Sequence, residues 1–269
     1  MENHNLISYG QHYLQDKNIL NCMINYSNLN ITDVVLEIGA GDGRITKELA
    51  KRAKKVFSYE IDTRTKPILL GINKTFKNIE FIFENFLNAK FLEFNKIVAS
   101  LPYQITEPFI HKIARLEFDS ATLLVGKTFA KSLLTDKEVN CLSLFTKAYF
   151  NYEYLCDVAP ECFNPPPKTY SAIIKLTPKE KKQLINDRAL FVIRELYEQR
   201  DKKISNALRE ALIRYESLNG KVLTKRQSKN IISELFGNIT LDCYLDQSSN
   251  DLIKTIYEKI NLNASIKKC

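Results

Sequence analysis

Three glycines within five residues, Gly39, Gly41 and Gly43, form the strongest chemical signal in this sequence. The preceding run Val34–Ile38 has the apolar, β-branched composition of a buried strand, and Ile45–Ala53 after the glycines has helical spacing. Glycine lets a backbone turn tightly and approach a ligand without a Cβ in between. A glycine turn between a strand and a helix therefore predicts a site for a nucleotide-type cofactor.

Two acidic residues accompany the glycine turn. Glu60 closes the next apolar run, Val56–Glu60, where an acid in such sites bonds the ribose hydroxyls of an adenosine-containing cofactor. Glu37, just before the turn, suits a cofactor with a cationic amino-acid end. Arg44 stands where the phosphate-binding pattern of dinucleotide sites has its last glycine. These residues predict S-adenosyl-L-methionine as the cofactor, with a dinucleotide or a glycine turn without a ligand as the alternatives.

A second set of candidate residues follows the apolar run Lys96–Ser100. The tetrapeptide Ser100–Tyr103 stands at the end of this predicted strand. Ligands of open α/β sheets bind at the carboxyl ends of strands, so the tetrapeptide should face the reacting end of the cofactor. Pro102 fixes the turn, and Tyr103 offers a ring that can stack on a base. A strand-terminating turn with a packed tyrosine is the alternative interpretation.

These residues need a framework that brings strand ends together. Between residues 34 and 125 short β-rich runs alternate with helical stretches, and one more strand follows the proline-rich segment Asn164–Lys168. Such alternation predicts βαβ units and a parallel sheet whose carboxyl strand ends share one edge. The predicted fold class is α/β, a Rossmann-like S-adenosylmethionine-dependent methyltransferase sheet with a small C-terminal α-helical domain. The predicted strands are Val34–Ile38, Val56–Glu60, Ile79–Phe83, Lys96–Ser100, Ala121–Val125 and Tyr170–Leu176.

Composition points to a polyanionic partner. The chain has 39 Lys and Arg against 31 Asp and Glu, a net charge of +8, which favours folded RNA, with solubility alone as the alternative. The six cysteines form no CxxC pair and only three histidines occur, so zinc-ligand spacing is absent and no metal site is predicted. Scattered thiols, and the lack of an apolar run of about 18 residues, predict a cytoplasmic protein without a membrane span.

The composition changes near residue 179, where charged, amphipathic helical patterns begin. We therefore predict that residues 1–178 form the methyltransferase domain and that residues 179–269 form a helical, RNA-binding C-terminal domain. The predicted helices after this boundary are Ala189–Gln199, Ile204–Tyr215, Lys225–Phe236 and Asn250–Ile260.

Several sequence blocks occur in an order that is typical of one enzyme family. Besides the glycine turn with Glu60, they are Tyr9–Asp16, Ser100–Ile105, Phe163–Ala172 and Gln199–Leu208. They resemble, in turn, a cofactor-lid motif, a catalytic Asn-Leu-Pro-Tyr block, a Phe-x-Pro-x-Pro-Lys-Val-x-Ser block and the basic helix that opens a C-terminal domain. These blocks are those of the ribosomal RNA adenine N6-dimethyltransferases, a family that includes the erythromycin-resistance methylases, and the chain resembles this family over residues 9 to about 208.

The resemblance implies N6-dimethylation of adjacent adenosines in a small-subunit rRNA hairpin and a role in ribosome biogenesis. It also implies a monomer whose partner is small-subunit rRNA or the pre-ribosomal small subunit, with no membrane involved. The target base must leave its stack, and aromatic side chains then hold it. The implied catalytic residues are Ser100, Leu101, Pro102, Tyr103 and Phe163. The implied cofactor-binding residues are Gln11, His12, Leu14, Glu37, Gly39, Gly41, Glu60, Ile61, Asn85 and Ser100. The implied RNA-binding residues are Arg200, Lys202, Lys203 and Arg209.

The sequence departs from the family around the reacting centre. Ser100 replaces the catalytic asparagine, and Asn85 replaces an aspartate that accepts the adenine amino group of the cofactor. Gly126 and Thr128 replace the two polar members of a Gln-x-Glu-x-Ala pattern, and Val139–Ser143 replaces a Tyr-Gly-x-Leu-Ser segment. Two interpretations therefore stay open: an active dimethyltransferase, or a weak or inactive paralogue that binds RNA as a ribosome-assembly or transcription-type factor.

Overall fold

A computed structural model of the chain describes residues 11–89, 93–135 and 139–266. Tyr9 and Gly10 of the predicted lid block, and Cys269, lie outside the described residues. The chain divides into two compact units. The first contains Phe150–Pro178 and the described residues that precede 135, and the second contains the described residues of 135–149 and 179–266.

The strands confirm the predicted α/β fold of the first unit. The strands are β1 (Tyr13–Leu14), β2 (Val34–Ile38), β3 (Lys55–Tyr59), β4 (Ile79–Ile82), β5 (Lys96–Ser100), β6 (Ser120–Gly126), β7 (Phe150–Val158), β8 (Phe163–Asn164) and β9 (Ser171–Pro178). Within the described residues, seven of these strands form one sheet in the order β4-β3-β2-β5-β6-β9-β7. The first five strands of this order run parallel, whereas β9 is antiparallel to both β6 and β7. The residues of the parallel strands are mostly buried, as is usual in a sheet that helices cover on both faces.

Helices are present at the positions predicted after the glycine turn and after residue 179, with ends that differ by up to six residues. The helices Lys17–Ser27, Lys127–Ser132 and Cys141–Tyr149 were not predicted. None of the helices in the described part of the chain is long and apolar enough to cross a membrane. The helices are α1 (Lys17–Ser27), α2 (Arg44–Ala50), α3 (Lys66–Ile72), α4 (Thr106–Ile113), α5 (Lys127–Ser132), α6 (Cys141–Tyr149), α7 (Arg188–Glu198), α8 (Ile204–Leu218), α9 (Lys225–Phe236) and α10 (Asn250–Ile266).

The second unit is not continuous in sequence. It includes α6, which lies within residues 1–178, and it begins again after Pro178. The apolar side of α6, with Leu144 and Ala148 fully buried, packs into the same core as Phe191 of α7 and Leu208 of α8. The apolar residues of α6 are therefore part of the core of the helical unit.

Candidate active site

A cavity of about 350 Å³ lies at the carboxyl ends of the parallel strands, within the first unit. Its walls include Ile38, Tyr59 and Ser100, which end β2, β3 and β5, and the loops that follow these strands. This volume falls in the range of roughly 300–1,000 Å³ that is typical of small-molecule sites. The predicted cofactor-binding and catalytic residues that line it are Gln11, His12, Leu14, Gly39, Gly41, Glu60, Ile61, Asn85, Ser100, Leu101, Pro102, Tyr103 and Phe163.

The glycine turn makes close contact with two other parts of the wall. Gly39 and Gly41 have φ angles of +81° and +56°, a region that residues with a Cβ rarely adopt. A Cβ at Gly39 would lie 3.4 Å from the carbonyl oxygen of Ser100, so the turn touches the end of β5. A Cβ at Gly41 would collide with the ring of Tyr13 in β1. Glycine is therefore needed here both for the backbone angle and for the packing.

Glu60 is held rigidly at the end of β3. It is 4% exposed. Its Oε2 accepts the backbone N–H of Gly41 at 2.7 Å, and its Oε1 accepts that of Asp62 at 2.8 Å. Burial raises the pKa of this carboxyl, and the backbone N–H donors oppose that shift. A carboxylate offers about four lone-pair positions, more than the backbone donors use, so acceptor capacity remains for a hydroxyl group in the cavity.

The segment with Gln11 and Tyr13 joins the loop after β3, a link the sequence did not reveal. Asp62 is buried and accepts bonds from Arg64 at 2.7 and 2.8 Å. This pair, together with a hydrogen bond from Gln11, lowers the pKa of Asp62. Burial raises the pKa of the Tyr13 phenol, with Glu60 and Asp62 as further causes. Tyr13 therefore belongs to the wall although only its neighbours were predicted to do so.

Strand pairing brings two distant sequence blocks together at the cavity. β1 pairs antiparallel with β8, and this register sets Leu14 opposite Phe163. Both side chains are buried. His12 Nδ1 lies 2.7 Å from the carbonyl oxygen of Pro165, and the carbonyl of Cys162 accepts the N–H of Gln15 at 2.7 Å. The lid block and the proline-rich block thus form one small two-stranded sheet.

Asn85 lines the cavity beyond β4 and shapes its own loop. Its Oδ1 accepts the backbone N–H of Leu87 at 2.9 Å, which caps the short helical turn Phe86–Asn88. Phe86 packs edge-on against Tyr59, at 5.3 Å between ring centroids. The amide oxygen of Asn85 retains a second lone pair for a ligand.

The predicted catalytic block, Ser100–Tyr103, forms hydrogen bonds with β6 and with β9. The N–H of Leu101 donates to the carbonyl of Leu124 at 3.0 Å, which fixes the backbone of the turn. Tyr103 is 38% exposed, and its hydroxyl lies 2.8 Å from Ser171 Oγ. A Cβ at Gly126 would be 3.5 Å from the Tyr103 ring, so the ring occupies space beside the glycine that replaces a polar family residue.

Glu37 is the predicted cofactor residue that the structure places elsewhere. It is 1% exposed and is not part of the cavity wall. Its Oε2 accepts hydrogen bonds from the hydroxyls of Thr46 at 2.6 Å and Ser58 at 2.5 Å, while its Oε1 has no partner among the residues that the structure describes. Successive side chains of a strand face opposite sides, so the neighbour Ile38 faces the cavity and Glu37 faces α2. The expectation that it meets the cofactor is not supported by this geometry.

The predicted RNA-binding residues lie in the second unit and differ in their exposure and in their ion pairs. Arg200 is exposed. Lys202 pairs with Glu210 at 2.6 Å, and Lys203 pairs with Asp242 at 2.8 Å. Exposed ion pairs of this kind contribute little stability, so these lysines can exchange their partners for phosphates. Arg209 differs, because its Nε is buried and finds no hydrogen-bond partner within the described part of the chain. Their role in RNA binding stays a prediction.

Comparison with known proteins finds similarity over most of the chain. The family model "Ribosomal RNA adenine dimethylase" matches residues 2–240. "Probable ribosomal RNA small subunit methyltransferase A" of Methanococcus maripaludis strain C5 is 41% identical over 206 residues, which are 74% of this chain and 78% of the relative. "Ribosomal RNA small subunit methyltransferase A" of Clostridium botulinum is 33% identical over 261 residues, which are 88% and 93% of the two chains.

Solved structures share the architecture. A dimethyladenosine transferase from Plasmodium falciparum superposes with a TM-score of 0.64 at 26% identity, and the match covers 96% of this chain and 98% of that one. The 23S rRNA methyltransferase ErmE superposes with a TM-score of 0.60 at 22% identity, and covers 92% of this chain and 99% of its own. The second likeness is one of fold alone.

Proposed function

The chain belongs to the ribosomal RNA adenine dimethylase family, and we propose that it uses S-adenosyl-L-methionine to dimethylate N6 of adjacent adenosines in a small-subunit rRNA hairpin. This modification is part of ribosome biogenesis, so the partner is small-subunit rRNA within the pre-ribosomal particle. The names of the two relatives, which are small-subunit rRNA methyltransferases, support this substrate.

The cavity wall suits the cofactor at three points. The carboxylate of Glu60 has acceptor positions for the ribose hydroxyls, in addition to those used by Gly41 and Asp62. Ile61 is half-exposed beside it and offers an apolar face for the adenine, and Asn85 offers an amide for the adenine edge. The turn at Gly39 lets the methionine end approach the end of β5. When bound, S-adenosyl-L-methionine supplies an electrophilic methyl group on a sulfonium.

The residues of the catalytic block position the nucleophile. The lone pair of the adenine amino group is delocalised into the ring, so the amine attacks poorly unless its N–H groups are held. The carbonyl of Leu101 and the hydroxyl of Ser100 accept these N–H groups and aim the lone pair. Tyr103 and Phe163 hold the flipped base by stacking. As the N–C bond forms, the S–CH₃ bond of the sulfonium would break and leave a neutral thioether, and the amine would release its proton to solvent. The contribution of the chain is mainly positioning and exclusion of water.

One observation carries this proposal: the glycine turn, Glu60 and the Ser100–Tyr103 turn line a single cavity of about 350 Å³. The test incubates the protein with methyl-labelled S-adenosyl-L-methionine and undermethylated small subunits. We expect label in dimethyladenosine, detected by mass spectrometry of the rRNA. Titration calorimetry should also detect binding of the cofactor to the free protein. Lack of cofactor uptake would overturn the proposal.

A second candidate function is RNA binding without methyl transfer, as an assembly or transcription-type factor. Two substitutions at the centre favour it, because Ser100 is shorter than the family asparagine and Gly126 has no side chain. Removing one group that orients a reacting atom slows an enzyme by roughly 10²–10³-fold, which lowers activity without abolishing it. Particle binding without any methyl transfer would establish this second function.

We also propose that the protein acts as a monomer in the cytoplasm. The six cysteines are scattered along the sequence and form no CxxC pair, which suits a reducing compartment. Light scattering of the purified protein tests the first point, and fractionation of its source cells tests the second. A stable dimer or a membrane-bound fraction would overturn them.

A further inference from the structure

Tyr170 is a large aromatic side chain that stands beside the cavity without lining it. It is 50% exposed, whereas the next residue, Ser171, is buried and forms part of the cavity wall. A half-exposed aromatic ring beside a nucleic-acid site can stack on an unpaired base. Because Tyr170 is next to a residue of the cavity wall, the bound RNA is the partner that we consider for its ring.

The ring of Tyr170 is held in place by its neighbours. The carbonyl of Tyr170 accepts the N–H of Lys127 at 3.0 Å. The Lys127 Nζ lies 4.9 Å from the centroid of the Tyr170 ring. That ammonium is itself fixed by Asp157 Oδ2 at 2.5 Å. A cation over an aromatic face stabilises the ring in one orientation, so the exposed half of Tyr170 is presented in a defined way.

Tyr170 is also tied to the residue that stacks on the target base. The hydroxyl of Tyr103 contacts Ser171 Oγ and lies 3.3 Å from the carbonyl of Thr169. These partners are the two chain neighbours of Tyr170. Tyr103, which lines the cavity, is therefore bonded to the residues on both sides of Tyr170, and both tyrosines are partly exposed.

We propose that Tyr170 is a stacking platform for the base next to the adenosine that enters the cavity. This inference rests on the proposed function and adds a second subsite to it. A strand that delivers one base into a pocket leaves its neighbour unstacked, and base–aromatic stacking restores that contact regardless of base identity. Because the proposed targets are adjacent, the platform holds one adenosine while the other reacts.

The test is a double-mutant cycle between the ring and the base. One arm compares the full chain with Tyr170→Ala, and the other compares an rRNA hairpin with hairpins that carry an abasic nucleotide on either side of the target adenosine. Dissociation constants come from fluorescence anisotropy. Tyr170→Phe keeps the ring, and Tyr26→Ala removes a comparably exposed tyrosine from α1 that does not line the cavity.

We expect Tyr170→Ala to weaken hairpin binding about tenfold and Tyr170→Phe to bind within about twofold of the unaltered chain. With the correct neighbour abasic, Tyr170→Ala should add less than about twofold, because the two changes remove the same contact. Cofactor affinity and thermal midpoint should be unchanged, as should RNA binding by Tyr26→Ala.

Three results would overturn the platform: a full effect of Tyr170→Ala on both abasic hairpins, an equal loss in Tyr170→Phe, or no effect of Tyr170→Ala at all. The proposed function fails separately. A chain that shows the coupling but transfers no methyl group would retain the platform and lose the enzymatic role. A chain that does not bind the hairpin at all would lose both.

Discussion

The ring of Tyr13 lies so close to Gly41 that a Cβ added to the glycine would stand 2.8 Å from Tyr13 Cε1. The substitution Gly41→Ala must therefore displace the ring, and it also places an L side chain at φ +56°. Such a backbone conformation costs roughly 1–2 kcal/mol. We expect lower thermal stability and cofactor binding about tenfold weaker, measured by calorimetry.

A matched control for this variant is Gly71→Ala. Gly71 is in α3, and a Cβ there would meet nothing within 4 Å. Alanine is favoured over glycine in helices by about 0.5–1 kcal/mol, so the control should be slightly more stable and should bind the cofactor normally. Equal behaviour of the two variants would contradict the importance of the Tyr13 contact.

Replacement of Glu60 by glutamine tests the ribose contact. Hydrogen bonds to charged groups contribute about 1.5–3 kcal/mol, so Glu60→Gln should weaken cofactor binding roughly 10- to 100-fold. Glu80→Gln is the control, because Glu80 forms only an exposed ion pair with Lys55. Normal cofactor affinity in Glu60→Gln would contradict the assignment.

The same carboxyl gives cofactor binding a pH dependence. Burial raises the pKa of Glu60, so its protonated form accumulates at a higher pH than in an ordinary glutamate. Protonation removes acceptor capacity, and cofactor affinity should fall as the pH is lowered. Titrations at several pH values should show that cofactor affinity falls more steeply with decreasing pH in the unaltered chain than in Glu60→Gln. An equal pH dependence in the two proteins would contradict the role of the Glu60 carboxyl.

The hydroxyl of Ser100 is predicted to limit the rate of methyl transfer. An asparagine at this position would supply an amide with longer reach and a second hydrogen-bonding atom. We expect Ser100→Asn to increase the rate, by up to about 10²-fold, with little change in cofactor affinity. Initial rates with undermethylated small subunits measure the effect. A slower variant would show that the pocket is adapted to serine.

Glu37 should make stability fall as the pH rises. Burial raises its pKa from an ordinary 4.5 to about 7, despite the bonds from Ser58 and Thr46. Between these values the folded chain holds more protons than the unfolded chain, so this group weakens folding increasingly from about pH 4.5 to 7. Glu37→Gln cannot ionise and should be more stable at pH 8, on the order of 3 kcal/mol, with a smaller gain at pH 5.

Urea unfolding at a series of pH values measures this effect. Glu48→Gln is a control of opposite sign, since hydrogen bonding to Lys51 lowers the pKa of Glu48. The stability that Glu48 contributes is present above its ordinary pKa and is lost as the pH falls. A gain in Glu37→Gln that does not vary with pH would contradict the buried ionisation.

The parallel sheet and most of the cavity could be predicted from the sequence. Each strand of the sheet's parallel part is an apolar run with a turn signal at its end, so β2 and β5 were predicted with their observed bounds. Because strand ends of a parallel sheet share one edge, the glycine turn, Glu60 and Ser100 had to meet. The family blocks added Gln11 and Phe163, which no local pattern indicates.

The remaining features depend on contacts that the local sequence does not encode. A strand buried on both faces has no alternation of apolar and polar residues, so nothing showed which way Glu37 points. Tyr13 and Gly41 belong to different sequence blocks, so no local pattern indicates that they pack together. The amphipathic pattern of α6 is the same whichever core covers it, so its place in the second unit could not be found.

The origin of α6 has a practical consequence for engineering. Since the helical unit takes this helix from the middle of the chain, it is not a detachable C-terminal cassette. A stop codon after Pro178 would strip Leu144 and Ala148 of their cover and expose an apolar stripe to aggregation. A clean deletion must also exchange Thr135–Tyr149 for a linker, and chimaeras between relatives must swap both segments together.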